Sequence, residues 1–146
     1  MNGKAINILL VEDSVADVRM IRELMKECKV LNNMHSVADG VEALQFLRRE
    51  GSFKDAIQPD LILLDLNLPR KDGREVLKEI KQDPALKRIP VVVLTTSSDG
   101  DDIFKSYDLH ANSYIVKPVD IVQFIKVIKS IESFWLTIVE LPRGSK

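Results

Sequence analysis

Short apolar segments, each followed by a polar residue with a reactive side chain, recur along this chain. The clearest four are Ile6–Val11, Leu61–Leu64, Val91–Leu94 and Ser113–Val116. Runs of β-branched and aliphatic residues of this length, bounded by turn-forming residues, are typical of buried strands in a parallel sheet. A fifth, shorter strand is predicted near Met34–Val37.

Segments with apolar residues at helical spacing alternate with these strands. They predict helices after the N-cap residue Ser14, after Gly40, over Gly73–Lys81, over Asp101–Leu109 and after Pro118. Strands and helices that alternate in this way, joined by right-handed crossovers, form α/β folds. The pattern therefore predicts an open, doubly wound sheet of five parallel strands with five helices.

The last helix extends beyond the length that one core face needs, and continues as far as Leu141. One apolar stripe would face the core, and a second is spaced at four, three, four and three residues, like a heptad seam. Its members are Val127, Ile131, Phe134, Ile138 and Leu141. A single broad core face with a few exposed apolar residues is the alternative. Because symmetric dimers are the commonest oligomers, the second stripe predicts a homodimer.

Composition limits the class of protein. The chain has 146 residues, 45% hydrophobic and 29% charged, which fits one globular domain over residues 1–141 followed by a flexible tail, 142–146. A net charge of -1 does not favour nucleic-acid binding, and no apolar run is long enough for a membrane span. Cys28 is the single cysteine, so a reducing, cytoplasmic location is expected.

The polar residues that follow the strands indicate one chemistry. Glu12 and Asp13 follow the first strand, Asp65 the third, Thr95 the fourth and Lys117 the fifth. Ligands of parallel sheets bind outside the carboxyl ends of the strands, so these side chains are expected in one cleft. A carboxylate there can attack phosphorus and hold the group as an acyl phosphate, beside Mg²⁺ held by its acidic neighbours.

Asn67, Thr95 and Lys117 would complete that cleft. The backbone carbonyl of Asn67 could bind the metal, the hydroxyl of Thr95 could donate to the phosphoryl group, and Lys117 is a mobile point charge. A cis bond before Pro118 would aim Lys117 into the cleft. Taken singly, such residues more often cap helices or lie in solvated turns, so the prediction depends on their joint position.

These segments resemble the receiver domain of bacterial two-component response regulators, over about residues 6–124. The resemblance lies in Leu10–Asp13, Asp65–Pro69 with Asp72–Gly73, Leu94–Ser97 and Tyr114–Pro118. Many members carry Asp-Asp where this chain has Glu12-Asp13, and Glu is also used there. The amino-acid sequences of segments 67–77, 86–97 and 107–114 are similar to those of the single-domain regulators that are paired with cyanobacterial phytochromes.

The resemblance implies a flavodoxin-like strand order, 2-1-3-4-5, and a set of roles. Asp65 would accept a phosphoryl group from a sensor histidine kinase, here a phytochrome. Glu12, Asp13, Asp65 and the carbonyl of Asn67 would bind Mg²⁺, a site that Mn²⁺ also suits. Thr95 and Lys117 would contact the phosphoryl group, and Tyr114 would turn inward as part of the switch.

The resemblance also implies that the protein has no output domain and signals to a separate downstream protein. It catalyses its own phosphorylation and a slow self-dephosphorylation, and does not turn over small substrates. Two alternatives remain. Asp65-Leu66-Asn67 superficially resembles the nucleophile motif of haloacid-dehalogenase-type phosphatases, although those enzymes usually place it after the first strand. A receiver that serves only as a scaffold is the other, and the intact acidic set argues against it.

Overall fold

The computed structural model describes residues 5–28, 31–95, 113–117 and 119–130. Its strands are β1 (Ile6–Val11), β2 (Asn32–Val37), β3 (Leu61–Asp65), β4 (Val91–Thr95) and β5 (Ser113–Val116). Its helices are α1 (Val15–Glu27), α2 (Gly40–Arg48), α3 (Gly73–Gln82) and a helix at 121–130, and Gly51–Phe53 form a 3-10 turn. None of the helices within these ranges has the length and apolar content that a membrane span requires.

The five strands form one parallel sheet in the order β2-β1-β3-β4-β5, which confirms the predicted fold class and strand order. The register aligns the carboxyl ends of the central strands. Val11 pairs with Leu64, Asp65 with Leu94, and Thr95 with Val116. Residues that follow β1, β3 and β5 are therefore neighbours, although more than 50 residues separate them along the chain.

Most predicted boundaries agree with the structure to within a residue or two. Ser14 is the N-cap of α1, and its hydroxyl oxygen accepts a hydrogen bond from the amide of Asp17 at 3.2 Å. The second strand begins at Asn32, two residues before the predicted start at Met34, because β2 is an edge strand that tolerates polar residues. The predicted helix over 101–109 lies outside the described residues.

A hydrophobic core covers each face of the sheet, because successive strand residues point to opposite faces. Leu9 and Val11 of β1 pack with the buried residues of α2 and α3 on one face. Ile8 and Leu10 pack on the other face with α1 and with Phe124 from the helix at 121–130. Both faces are thus covered by helices, as in doubly wound folds.

The helix at 121–130 also bears on the predicted dimer seam. Val127 is half-buried and packs against the core cluster that contains Phe124 and Ile128. The remaining members of the seam, Ile131, Phe134, Ile138 and Leu141, lie outside the described residues. The homodimer and the tail at 142–146 therefore stay predictions.

Gly73, the first residue of α3, packs directly against the end of β3. A Cβ atom at this position would lie 2.6 Å from Cα of Leu66 and would overlap the carbonyl oxygen of Asp65. The amide of Gly73 also donates a hydrogen bond to the carbonyl of Leu66 at 3.0 Å. The close approach of α3 to the backbone beside Asp65 therefore requires glycine.

We expect Gly73→Ala to lower the free energy of unfolding by about 1–3 kcal/mol or more, because the added methyl group overpacks rigid backbone. Gly51→Ala is the matched control. No atom lies within 4 Å of its ideal Cβ, but its φ is +58°, so it should lose only about 1 kcal/mol from backbone strain. Urea denaturation of both variants measures the difference, and equal losses would contradict the packing argument.

Candidate functional site

Three carboxylates meet at the carboxyl edge of the sheet. Glu12 and Asp13 directly follow β1, and Asp65 is the last residue of β3. One carboxylate oxygen from each of the three lies within 4.8 Å of the others. Glu12 and Asp65 are each only 3% exposed, whereas Asp13 is open to solvent. The structure thus brings together the three acidic residues that the sequence analysis selected.

Lys117, directly after β5, is the cation at the centre of this cluster. Its Nζ donates hydrogen bonds to Oε1 of Glu12 at 2.7 Å, to Oδ2 of Asp17 at 3.0 Å and to Oδ2 of Asp65 at 3.2 Å. The Lys117 side chain is 9% exposed, so its ion pairs with the buried Glu12 and Asp65 are shielded from water. Shielded, hydrogen-bonded ion pairs are stronger than surface pairs, but they also require the removal of water from every charge.

Burial and charge crowding shift the titration of this cluster. Burial, reinforced by the nearby charge of Asp65, raises the pKa of Glu12 from 4.5 to about 7, although the Lys117 ammonium opposes the shift. Burial alone would lower the pKa of Lys117, but its ion pairs with Glu12 and Asp17 outweigh burial and raise that pKa above its usual value. Lys117 therefore stays charged, while Glu12 titrates near neutral pH.

The loop between β3 and α3 orders the second side of the site. The amide of Asn67 donates a hydrogen bond to Oδ1 of Asp65 at 2.9 Å, which fixes the orientation of that carboxylate. Three residues further on, Arg70 takes a positive φ of 64° and donates to both carboxylate oxygens of Asp39, at 3.0 and 3.2 Å. This fork fastens the loop to the first turn of α2.

Asp39 is also the N-cap of α2, and its carboxylate accepts the amide of Glu42 at 2.8 Å. Burial would raise its pKa, but this amide and the Arg70 guanidinium outweigh burial and hold the pKa below its usual value. The turn at Asp39-Gly40 was predicted from the sequence, but the contact of Asp39 with Arg70 was not. A pairing across 31 residues leaves no local signal in the sequence.

The other predicted site residues are placed as follows. Tyr114 in β5 is half-buried and packs against the core on the α2 and α3 face. The backbone of Thr95 ends β4 beside Val116, but its side chain lies outside the described part of the chain, as does Pro118. The predicted cis bond before Pro118 therefore stays a prediction.

Asp17 is the site residue that the sequence analysis missed. It lies in the first turn of α1, one helical turn beyond Asp13, and contributes a third carboxylate to Lys117. An acidic residue in the first turn ordinarily interacts with the helix dipole, so its presence there is no signal of a second role. Its position close to the end of β1 was the available clue.

The donor set at this edge consists of carboxylate oxygens, with the backbone of Asn67 alongside. Hard cations such as Mg²⁺ and Mn²⁺ bind oxygen ligands, whereas thiolates favour softer metals. Cys28 is buried in the core on the α1 face and contributes nothing to this edge. Burial, together with the nearby charge of Asp65, raises the pKa of Glu12, and a divalent cation would neutralise the repulsion between these two carboxylates.

Similar proteins share both the sequence and the fold. The family model for the response regulator receiver domain matches residues 8–129. Response regulator Rcp1 of Synechocystis sp. is 53% identical over 135 residues, which cover 92% of each chain. The probable methanogenesis regulatory protein FilR2 of Methanothrix harundinacea is 40% identical over 88% of this chain and 83% of that protein.

Solved structures give the same result. The phosphorylated cyanobacterial phytochrome response regulator RcpA has a TM-score of 0.79 and 55% identity, and the match covers 93% of this chain and 97% of RcpA. The Mn²⁺-bound form of Rcp1 has a TM-score of 0.78 and 52% identity, over 90% and 94% of the two chains. The acidic edge of the sheet, with its lysine, thus occurs in a chain that belongs to the response regulator receiver domain family.

Proposed function

We propose that this receiver domain accepts a phosphoryl group on Asp65 from a phosphohistidine of a sensor kinase. The observation that carries the proposal is the buried Asp65 carboxylate, 3% exposed, held between the Lys117 ammonium and the amide of Asn67. Two fixed donors on one carboxylate orient it for attack. A buried carboxylate at the open edge of a parallel sheet suits group transfer better than it suits fold stability.

A divalent cation fits beside Asp65. Glu12, Asp13 and Asp65 offer the oxygen cluster, and the carbonyl of Asn67 follows on the adjacent loop. Mg²⁺, or Mn²⁺ as named for the bound form of Rcp1, suits such ligands. When bound, the cation would neutralise charge on the phosphoryl oxygens.

In the transfer step, a carboxylate oxygen of Asp65 forms a bond to phosphorus as the bond from phosphorus to the histidine nitrogen breaks. Because such steps need little covalent help, the protein contributes mainly position and charge. The Asn67 amide holds one oxygen of Asp65, and the Lys117 ammonium is placed 3.2 Å from the other. Lys117 can therefore contact the incoming phosphoryl oxygens with only a small movement of its flexible side chain.

The effect of phosphorylation would be transmitted through β4 and β5. The hydroxyl of Thr95 and the ammonium of Lys117 would bind it, and these residues end or follow two paired strands. Tyr114, which packs against the core from β5, would turn inward as Thr95 moves. A contact that favours one of two arrangements shifts their populations, and the exposed surface then changes for a downstream protein.

The partner kinase that we propose is a cyanobacterial-type phytochrome. The support is likeness: RcpA is named a phytochrome response regulator, and it is 55% identical to this chain. We further propose slow self-dephosphorylation, with no multiple turnover on small substrates, within a single receiver domain at residues 1–141. A homodimer through the stripe that begins at Val127 belongs to the same proposal.

The direct test is an intact-mass spectrum after incubation with acetyl phosphate, with and without Mg²⁺. We expect one added phosphoryl group that requires both Mg²⁺ and Asp65, and that is absent from Asp65→Asn. Asp60→Asn is the matched control, because Asp60 lies just before the opposite end of β3 and accepts the amide of Asn7 at 2.8 Å. An adduct that persists in Asp65→Asn would refute the assignment.

The same comparison can then be made with an autophosphorylated phytochrome kinase as the phosphoryl donor in place of acetyl phosphate. Transfer of its label to the wild-type chain and not to Asp65→Asn would support the proposed partner. Release of free phosphate in many turnovers from small phosphate esters would instead favour the phosphatase alternative.

The pKa of Glu12 gives a pH dependence. Folded Glu12 binds its proton up to about pH 7 but unfolded Glu only up to 4.5, so the metal-free protein should lose stability as pH rises between these values. Cation binding needs the ionised carboxylate, so Mg²⁺ affinity should fall roughly tenfold per pH unit below 7 and level off above it. Calorimetric titration from pH 6 to 8.5 measures this, and a flat profile would contradict it.

Substitution of Phe134 and Ile138 by Glu tests the dimer. Charges placed in an apolar seam oppose association, so sedimentation velocity should show a monomer where the wild-type chain forms a dimer. Glu substitution of Lys126, which is exposed on the helix at 121–130, controls for added charge. A wild-type monomer, or an unchanged mass in the double variant, would exclude the proposed interface.

A further inference from the structure

Lys117 holds the place of a cation in the acidic cluster. It contacts Glu12 and Asp65, two of the three carboxylates whose oxygens lie within 4.8 Å of one another. A divalent cation on that cluster would meet a buried ammonium of the same sign. Like charges at such short distances repel strongly where water is largely excluded. When a divalent cation binds, Lys117 must therefore give up some of its contacts with Glu12 and Asp65.

Asp17 differs from the other two partners of Lys117 in one respect. Its carboxylate is bonded to Lys117 at 3.0 Å but does not belong to the cluster of Glu12, Asp13 and Asp65. It projects from α1, and its side chain is 31% exposed, so its charge is hydrated at lower cost than that of Glu12. It is thus available to Lys117 after a cation has engaged the other carboxylates.

The position of Asp17 is fixed independently of this contact. Its amide is bound by the hydroxyl of the N-cap Ser14 at 3.2 Å, within the first turn of α1. The Nζ of Lys117 is already within hydrogen-bond distance, so a change of partner needs only rotation about the last bonds of a flexible side chain. Lys117 would remain close to Asp65 throughout.

We propose that Asp17 is a positioning residue that retains Lys117 when a divalent cation binds at Glu12, Asp13 and Asp65. The inference rests on the proposed metal site. Without Asp17, the displaced ammonium has no carboxylate outside the cluster among its described partners, and it competes with the cation for Glu12 and Asp65. With Asp17, the same side chain gives way to the cation and stays within reach of a phosphoryl group.

The experiment is calorimetric titration with Mg²⁺ at pH 8, on the full chain without a phosphoryl donor. We expect Asp17→Asn to weaken Mg²⁺ binding by roughly three- to tenfold, the range of a partly exposed ion pair. Asp17→Glu should restore most of the affinity. Lys117→Gln should bind Mg²⁺ more tightly than the wild-type chain, because the competing ammonium is gone.

The double variant distinguishes this role from a structural one. In the Lys117→Gln background, Asp17→Asn should change the Mg²⁺ affinity by less than about twofold, because the residue acts through Lys117. An equal loss in both backgrounds would overturn the inference, since it would mean a direct charge effect or a damaged helix. Thermal melting of each variant without metal excludes unfolding as the cause of a loss.

Glu23→Gln on the same helix is the matched control. It removes one negative charge whose side chain is 72% exposed and, within the described residues, is ion-paired with Lys26 alone, and we expect no change in Mg²⁺ affinity. Wild-type affinity in Asp17→Asn would overturn this inference while the proposed metal site stands. Failure of the wild-type chain itself to bind Mg²⁺ would overturn both.

Discussion

The structure of the site depends on one buried ammonium among carboxylates. Lys117 holds Glu12, Asp17 and Asp65 from a side chain that is only 9% exposed. Without a cation, the carboxylates of Glu12 and Asp65 would lie close together with little water around either, and their charges would repel each other. The lysine therefore makes the acidic edge compatible with folding, and it also makes that edge responsive to any other cation or anion that enters.

The sheet brings Lys117 into contact with Glu12, although 105 residues separate them along the chain. Parallel pairing aligns the carboxyl ends of β1, β3, β4 and β5, and the apolar residues of those strands fill a core on each face. The strands thus fix where the backbone before each charged residue ends. Gly73 and the fork between Arg70 and Asp39 then bring the loop after β3 into place. Rigid elements orient the charges, and short loops adjust them.

The elements that follow a local residue pattern were predictable from the sequence. Apolar runs predicted β1, β3, β4 and β5, and the positions directly after the strands indicated Glu12, Asp13, Asp65 and Lys117 as candidate site residues, which the structure brings together. Features that depend on contacts between distant residues were not accessible. The pairing of Arg70 with Asp39 is one, and the bond from Lys117 to Asp17 is another. The polar start of β2 was missed because an edge strand has no apolar run to mark it.

The same charge arrangement links stability to function. Burial of Glu12 raises its pKa to about 7, so near neutral pH the metal-free site lies close to a change of protonation. A site in which every carboxylate was fully paired would bind an incoming cation weakly, because that cation would have to break good ion pairs. In a site with no lysine, the carboxylates would repel one another without compensation. Four carboxylates with one ammonium lie between these limits, and the charge that remains unpaired drives cation binding.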